Sequence, residues 1–544
     1  MTGKHYRVIA SDQKVVLWPC PDVCKHVVGI ALLCLAVVLV GAAGSFVARN
    51  PLPGILAVCG ALLTGVAALL LRSQAHRLGP NEATLIALIG CGLAFSMFFP
   101  IGSIPDEPYH FIRSYAYSNM LMGYESDAIR HEDLYFYYQE VEADADGQGV
   151  KAREVSVDRW SGTAEFDGPL ADGGTSGITH TRYLRGVLAS GANPIQSKIG
   201  AAIGVSLARA LGLSATGLFY SGRLFNMLFC AILIYAALRI TPVGSNIFAI
   251  IALMPMSVQQ MMSYSYDGPI VAFSFVLLAL ILRAIMGEGH ISIGLRAAII
   301  AMAIILGPCK VVYSLIAFLT VLIPSRRFNS QAEKWVFVAA AFVLPLVYTV
   351  IIRMRSISTA AAGTSITRME EDGEIVTGGP VTLADILADP LGTAYIFLNT
   401  IAHRGVSYAG GVVGSRLGLR EDLIATPQAV TALLLLVLLV AAIGDERDHG
   451  TLGVGGRLLF LLIALMIIGA IMLSLMLTWT LKGETIIEGV QGRYFTPVMP
   501  CILLALRGRK VRINGTLLNM LVPLMSAANL SLLSYLSVQV LLTA

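Results

Sequence analysis

Apolar stretches of about twenty residues recur from one end of this chain to the other, and that recurrence leaves few folds open. A bilayer holds no water to satisfy backbone N–H and C=O groups, so a crossing segment must be a helix or part of a closed barrel. The stretches are continuous rather than alternating, and about twenty residues of helix match a hydrocarbon core ~30 Å thick. The chain therefore reads as an all-α, polytopic membrane protein. Thirteen spans are expected, at 27–47, 52–71, 83–101, 215–238, 246–262, 269–286, 294–309, 311–324, 335–353, 426–443, 458–479, 495–506 and 514–541. Only 13% of the 544 residues are charged, against about 25% in soluble domains. That excludes a soluble enzyme with a single anchor. The first stretch is too long for a signal-peptide core and lacks an A-x-A site after it, so it is expected to stay as a helix.

Lys and Arg in short loops set the orientation. Lys4, Arg7, Lys14 and Lys25 precede the first span, and Arg72 and Arg77 follow the second. Arg326, Arg327 and Lys334 separate the eighth and ninth, and Arg507, Arg509, Lys510 and Arg512 separate the last two. With the N-terminus inside, all of them are cytoplasmic. Counting the apolar segment 194–212 as a span would invert every later loop. It also carries Lys198 and Arg209, so it reads as an interfacial or re-entrant helix on the outer side.

The organisation that follows is an N-terminal tail and extra hairpin (1–81), a core helix (82–101) and a large outer loop after the third span (102–214). A transmembrane core (215–353), a second outer loop (354–425) and C-terminal helices (426–544) complete it. The segment 102–193 holds 15 of the 34 acidic residues against seven Lys and Arg. The run Glu370, Glu371, Asp372 and Glu374 reads as solvated loop. A net charge of +4, spread among loops, gives no footprint for nucleic acid. None of the eight cysteines falls in 102–193, so no disulfide framework holds that loop. Cys20 and Cys24 stand near His26, but a four-ligand zinc set is missing. No metal is expected there.

Four clusters carry chemistry. The first is Pro105-Asp106-Glu107-Pro108-Tyr109-His110-Phe111-Ile112-Arg113. Two carboxylates sit where an apolar helix breaks, between prolines that stiffen the backbone. His110 and Arg113 share a face of any helix that follows. Such a group can hold a general base beside an anion site, or simply an acidic helix start. The second is Ser263-Tyr264-Ser265-Tyr266-Asp267-Gly268-Pro269, a hydroxyl-rich turn with one carboxylate. The third is Gly307-Pro308-Cys309-Lys310-Val311-Val312-Tyr313, where a lysine near membrane depth is costly unless paired or functional. The fourth is Gln491-Gly492-Arg493-Tyr494, whose guanidinium fork suits a phosphate. All four are expected at the outer face, converging on one cavity. No nucleotide-binding loop, H-E-x-x-H, G-x-S-x-G or dinucleotide fingerprint competes with them.

The string PDEPYHFIRSY resembles a motif of a family of bacterial polytopic proteins, domain of unknown function family 2142. The strings GRLFNMLFCAILIYAALR (222–239), LMPMSVQQMMSYSYDG (253–268) and VQGRYFTPVMP (490–500) look similar to the same family, in the same order, over roughly 82–510. That family in turn resembles the GT-C class of membrane glycosyltransferases, which take sugars from polyprenyl-phosphate donors outside the cytoplasmic membrane. The resemblance implies a GT-C-like fold with Asp106 and Glu107 as the acids of the first outer loop, and juxtamembrane helices where 194–212 lies. Two extra spans precede the motif, and the expected apolar Pro-Pro-Leu-Tyr-Tyr-type string is degraded to Asn193-Pro194-Ile195-Gln196.

The expected reaction is inverting transfer of a sugar from a polyprenyl phosphate to a glycan or glycolipid hydroxyl, among membrane lipids. Asp106 or Glu107 would be the base, with Asp106 favoured and Glu107 left to cap the next helix or pair with Arg113. Arg493 and Lys310 would stabilise the leaving phosphate, with His110, Arg113, Asp267, Tyr313 and Tyr494 also lining the substrate site. The resemblance leaves a divalent cation, magnesium or manganese, open. A flippase of lipid-linked sugars, or a polysaccharide polymerase or ligase, is the alternative.

Overall fold

The computed structural model describes residues 79–99, 101–126, 194–360, 375–418, 425–445, 452–507 and 515–543, with short pieces at 15–16, 38–39, 42, 128–130, 178–180, 366–369 and 511–513. The expected span 52–71, all of the expected span 27–47 except residues 38, 39 and 42, the pair Cys20 and Cys24, the acidic run 370–374 and most of the loop 102–193 lie outside these residues.

The described chain is built from helices: α1 (Pro80–Phe98), α2 (Glu107–Met122), α3 (Ile199–Ala210), α4 (Ala215–Ile240), α5 (Ser245–Ala252), α6 (Pro255–Met262), α7 (Asp267–Met286) and α8 (Ile293–Cys309). A 3-10 helix follows at Val311–Leu322, then α9 (Gln331–Ala360), α10 (Pro390–Val413), α11 (Gln428–Ala441) and α12 (Val454–Trp479). A second 3-10 helix at Gly492–Val498 leads into α13 (Met499–Leu506), and α14 (Gly515–Thr543) ends the chain. Six of these helices contain a stretch long and apolar enough to cross a membrane, as expected for a polytopic protein. The expected span 246–262 is broken: α5 and α6 meet at 68°, with Pro255 opening α6 because its ring cannot continue the preceding turn. The segments at 294–309, 311–324, 426–443 and 495–506 are shorter apolar helices.

α7 lies at the centre, the most enclosed of the long apolar helices, packed on α4, α6, α8 and both 3-10 helices. Its face-independent burial explains why its sequence is apolar all round. α3 packs against α4 through Gly200 and Gly204, where an added Cβ would come within 2.4 Å of the Ser221 carbonyl oxygen. This is the small-xxx-small packing of membrane helices, and it fixes α3 to the bundle. At the end of the bundle away from the four clusters, Arg239 pairs with Glu82, Arg296 pairs with Glu333, and Arg457 donates to the Ala505 carbonyl at 2.6 Å.

The segment 354–425, expected as a second outer loop, is more than solvated loop. It contains α10, preceded by the short helix Leu383–Ala388 with a Thr382–Asp385 capping box. Lys482 pairs with Asp385 at 2.9 Å, and Val381 donates to the Thr480 carbonyl, so this region docks on the segment that leaves α12. α10 then runs down against the second 3-10 helix, with Tyr408 edge-on to Phe495.

Candidate functional site

The turn between α1 and α2 sets the two carboxylates apart. Asp106 is the N-cap of α2 with φ 59°, the one non-glycine residue among those described with a positive φ. Aspartate tolerates the left-handed region better than most residues, and Pro105 and Pro108 restrict the chain on either side. This conformation turns the Asp106 side chain outward, exposed and making no capping bond. Glu107 turns inward and is fully buried.

Glu107 neither caps α2 nor pairs with Arg113. It forms a bidentate ion pair with Arg223 of α4, with Nε to Oε1 at 2.9 Å and Nη2 to Oε2 at 2.6 Å. The backbone N–H groups of Gly102 and Tyr264 also donate to it, at 3.2 and 3.3 Å. Arg223 spends its third nitrogen on the Phe99 carbonyl at 2.7 Å. A carboxylate so occupied is not available to take a proton from a substrate. Glu107 is the tie between the turn that carries Asp106 and the loop that carries Asp267. Arg223 escaped the sequence reading, although a charge inside an apolar span is itself a signal of pairing.

The hydroxyl-rich loop folds on itself. Ser263 Oγ accepts from the Ser265 N–H at 3.2 Å, and Ser265 Oγ from the Asp267 N–H at 3.1 Å. Tyr264 is buried among Phe111 and Phe219 and donates to the Phe219 carbonyl at 3.0 Å. Gly268 has no room for a side chain, since a Cβ would sit 2.7 Å from the Gln260 carbonyl oxygen. The α6–α7 turn is therefore tight, and it holds Asp267 against Arg493, Oδ2 to Nε 3.2 Å.

The third and fourth clusters meet there as well. Lys310 Nζ stands 3.7 Å from the centre of the Tyr494 ring, and Tyr313 donates its hydroxyl to the Tyr494 carbonyl at 2.6 Å. Tyr313 thus spends its hydroxyl hydrogen on backbone. His110 sits edge-on to Tyr266 at 5.0 Å between ring centres. Lys198, at the start of α3, is fully buried, donates to the Tyr264 carbonyl at 2.6 Å and faces the Tyr266 ring. It was read from sequence only as a mark against a span.

Cations outnumber anions in this cluster. Burial is the main cause that holds His110 well below the usual imidazole range, and the charges of Lys198, Arg113 and Arg493 add to it. Burial likewise lowers Lys198 well below the usual lysine range, reinforced by Arg113 and opposed by Asp267. Asp106 lies within electrostatic reach of Lys198 and Arg493. Three buried nitrogens, His110 Nδ1, Arg113 Nε and Arg493 Nε, have no hydrogen-bond partner among the described residues. The Arg493 Nε is near Asp267 but not aligned to donate to it. Buried donors without acceptors are rare and costly.

The family model for DUF2142, predicted membrane protein, matches residues 89–502. The chain belongs to this family. No curated protein and no solved structure matches it. The family region contains every site residue from Asp106 to Tyr494, whereas the first residues of α1 and all of α14 lie outside it. Among the described residues no three His, Cys, Asp or Glu side chains converge as metal ligands. Asp106 and Asp267 have cationic neighbours instead, so the described residues do not form a magnesium or manganese site.

Proposed function

We propose that this protein is an inverting, GT-C-like glycosyltransferase of the bacterial cytoplasmic membrane, with its site facing outward and the expected thirteen spans around it. It transfers a sugar from a polyprenyl phosphate to a hydroxyl of a cell-envelope glycan or glycolipid. The observation that carries this reading is the group of buried nitrogens on His110, Arg113 and Arg493 with no partner among the described residues, with Lys198 beside them and the exposed Asp106 carboxylate near them. Such a chamber asks for an anion with several acceptor oxygens, and a phosphate supplies them.

Asp106 takes the proton of the acceptor hydroxyl as its oxygen attacks the anomeric carbon. The bond from that carbon to the phosphate oxygen breaks, and the electron pair leaves with polyprenyl phosphate. Arg493, Lys198 and Lys310 stabilise the charge that builds on the departing phosphate. Asp267 holds Arg493 in place. No step passes through a metal ion. A flippase would need the same cations but no base beside them, and the placement of Asp106 favours transfer.

Polyprenyl-phosphate binding tests the anion chamber. Lys198→Gln and Arg493→Gln should each weaken it by about tenfold or more, the value of a charge-assisted hydrogen bond. Unchanged affinity in both would remove phosphate from the reading. Affinity should also fall as pH rises. Burial favours the neutral forms of His110 and Lys198, and an arriving anion must recruit protons onto them. Orientation is checked separately by cysteine labelling of intact cells. Single cysteines at exposed positions beside the site, such as Ser407 and Gln491, should label without permeabilisation, and labelling only afterwards would overturn the outward-facing site.

A further inference from the structure

We infer that the end of the bundle opposite the candidate site binds the phosphate of an anionic membrane lipid, held by Arg327 with Arg326 beside it. The two sites are far apart. Asp267 opens α7, whereas Arg327 lies against Gly287, just past its last residue, so the 20 residues of that helix separate them. At about 1.5 Å each these span ~30 Å, the thickness of a hydrocarbon core. This inference goes beyond the transferase reading and stands without it.

Arg327 ends a single 3-10 turn, Ser325–Arg327. Its backbone is pinned. Its N–H donates to the Pro324 carbonyl at 3.0 Å, and its carbonyl accepts from the Ile291 N–H at 2.9 Å. Its side chain reaches the end of α7, where only a glycine leaves room: a Cβ on Gly287 would stand 2.2 Å from Nη1. Arg327 is 5% exposed, yet its Nε and Nη1 have no hydrogen-bond partner among the described residues. The carbonyl end of α7 is favourable ground for a cation, but none of its carbonyls accepts from these two nitrogens. Arginine keeps its proton in proteins, so a full charge is buried there. No carboxylate offsets it. Glu333 of α9 is taken by Arg296 and by the Asn329 N–H at 2.7 Å. Glu288, exposed in the adjoining turn, does not reach the guanidinium. Among the described residues the one charge acting on Arg327 is Arg326, which is exposed and has the same sign.

The surroundings select a lipid. Phe328 packs on Phe337, ring centres 5.8 Å apart, which sets Arg327 beside the first turns of α9. Those turns expose Trp335 and Val336, and Lys334 Nζ stands 5.6 Å from the centre of the Trp335 ring. Tryptophan and lysine at a helix end mark headgroup depth. α9 is the least enclosed of the six long apolar helices, so its flank meets lipid. A phosphate delivered there on a lipid meets the guanidinium fork, while its acyl chains lie along α9. A net negative headgroup also answers Arg326, whose charge would be left over beside a zwitterion. A free phosphate would gain no apolar contact.

Native mass spectrometry and thermal unfolding of the full-length, delipidated protein in nonionic detergent test this. The probes are phosphatidylglycerol, phosphatidylcholine and inorganic phosphate. Phosphatidylglycerol should bind about tenfold or more tighter than phosphatidylcholine. Arg327→Gln should weaken it by about tenfold or more, the value of a charge-assisted hydrogen bond. Arg239→Gln, which removes an exposed charge elsewhere at the same end, should leave it unchanged. Without lipid, Arg327→Gln should melt no lower than the wild type, because it removes a buried charge that has no partner. A lower melting temperature would make Arg327 a cap of α7 and overturn the inference. Equal binding of the two lipids, or phosphatidylglycerol binding that survives Arg327→Gln or is lost equally in Arg239→Gln, would overturn it too. Displacement of the lipid by millimolar inorganic phosphate would make the ligand a free phosphate, and the lipid site would fall.

Discussion

Replacing Asp106 with asparagine is expected to lower sugar transfer by about 100-fold or more, the usual value of a general base, while the protein stays folded. Asparagine tolerates the left-handed backbone as aspartate does, and the side chain is exposed and caps nothing. Binding of polyprenyl phosphate should persist, because the buried donors that face the phosphate remain. Turnover of the purified variant, with donor affinity alongside, checks both halves. A fully active Asp106→Asn would take Asp106 out of the chemistry.

Glu107→Gln should behave in the opposite way. The change leaves the Arg223 guanidinium buried without its counter-charge, and breaking such a pair costs about 3–5 kcal/mol. That is large against the whole stability of an ordinary domain. Thermal unfolding in detergent should show it, with loss of folded protein preceding any specific loss of turnover. Lys at position 223 should rescue little, because an ammonium cannot make the two parallel bonds to Glu107 and still reach the Phe99 carbonyl. A stable, inactive Glu107→Gln would return Glu107 to the catalytic list. On the proposed reading, adjacent carboxylates in one motif have separable tasks, one chemical and one architectural.

The membrane character and the order of the helices were legible because continuous apolar runs leave the backbone no other choice. The four polar clusters were legible for a related reason: charges at the ends of apolar helices are expensive, so each one marks itself. Side chains of the four clusters do lie close together, Asp267 beside Arg493, Lys310 over the Tyr494 ring and His110 against Tyr266. The partner of Glu107 was not legible. Arg223 lies 116 residues away, and adjacency in sequence had suggested Arg113. Lys198 was hidden because one lysine at the start of a small-residue helix looks like a snorkelling side chain. The helix α10 was missed because its apolar residues are scattered among His403, Arg404 and several glycines, too polar on average for a span. Hydropathy cannot tell such a helix from a loop, yet this one packs on the 3-10 helix that carries Arg493.

The 3-10 helix Val311–Leu322 fixes a length. Its twelve residues rise by about 2.0 Å each and reach ~24 Å, whereas the same residues wound as an α-helix would rise by about 1.5 Å each and reach ~18 Å. Lys310 stands at its upper end, against the Tyr494 ring. Rewinding the segment would draw that ammonium ~6 Å down into the bundle, away from the ring and from Tyr313's bond to the Tyr494 carbonyl. The choice between two helical pitches in one short element is therefore a choice of where a positive charge stands, with no hinge or loop required to move it.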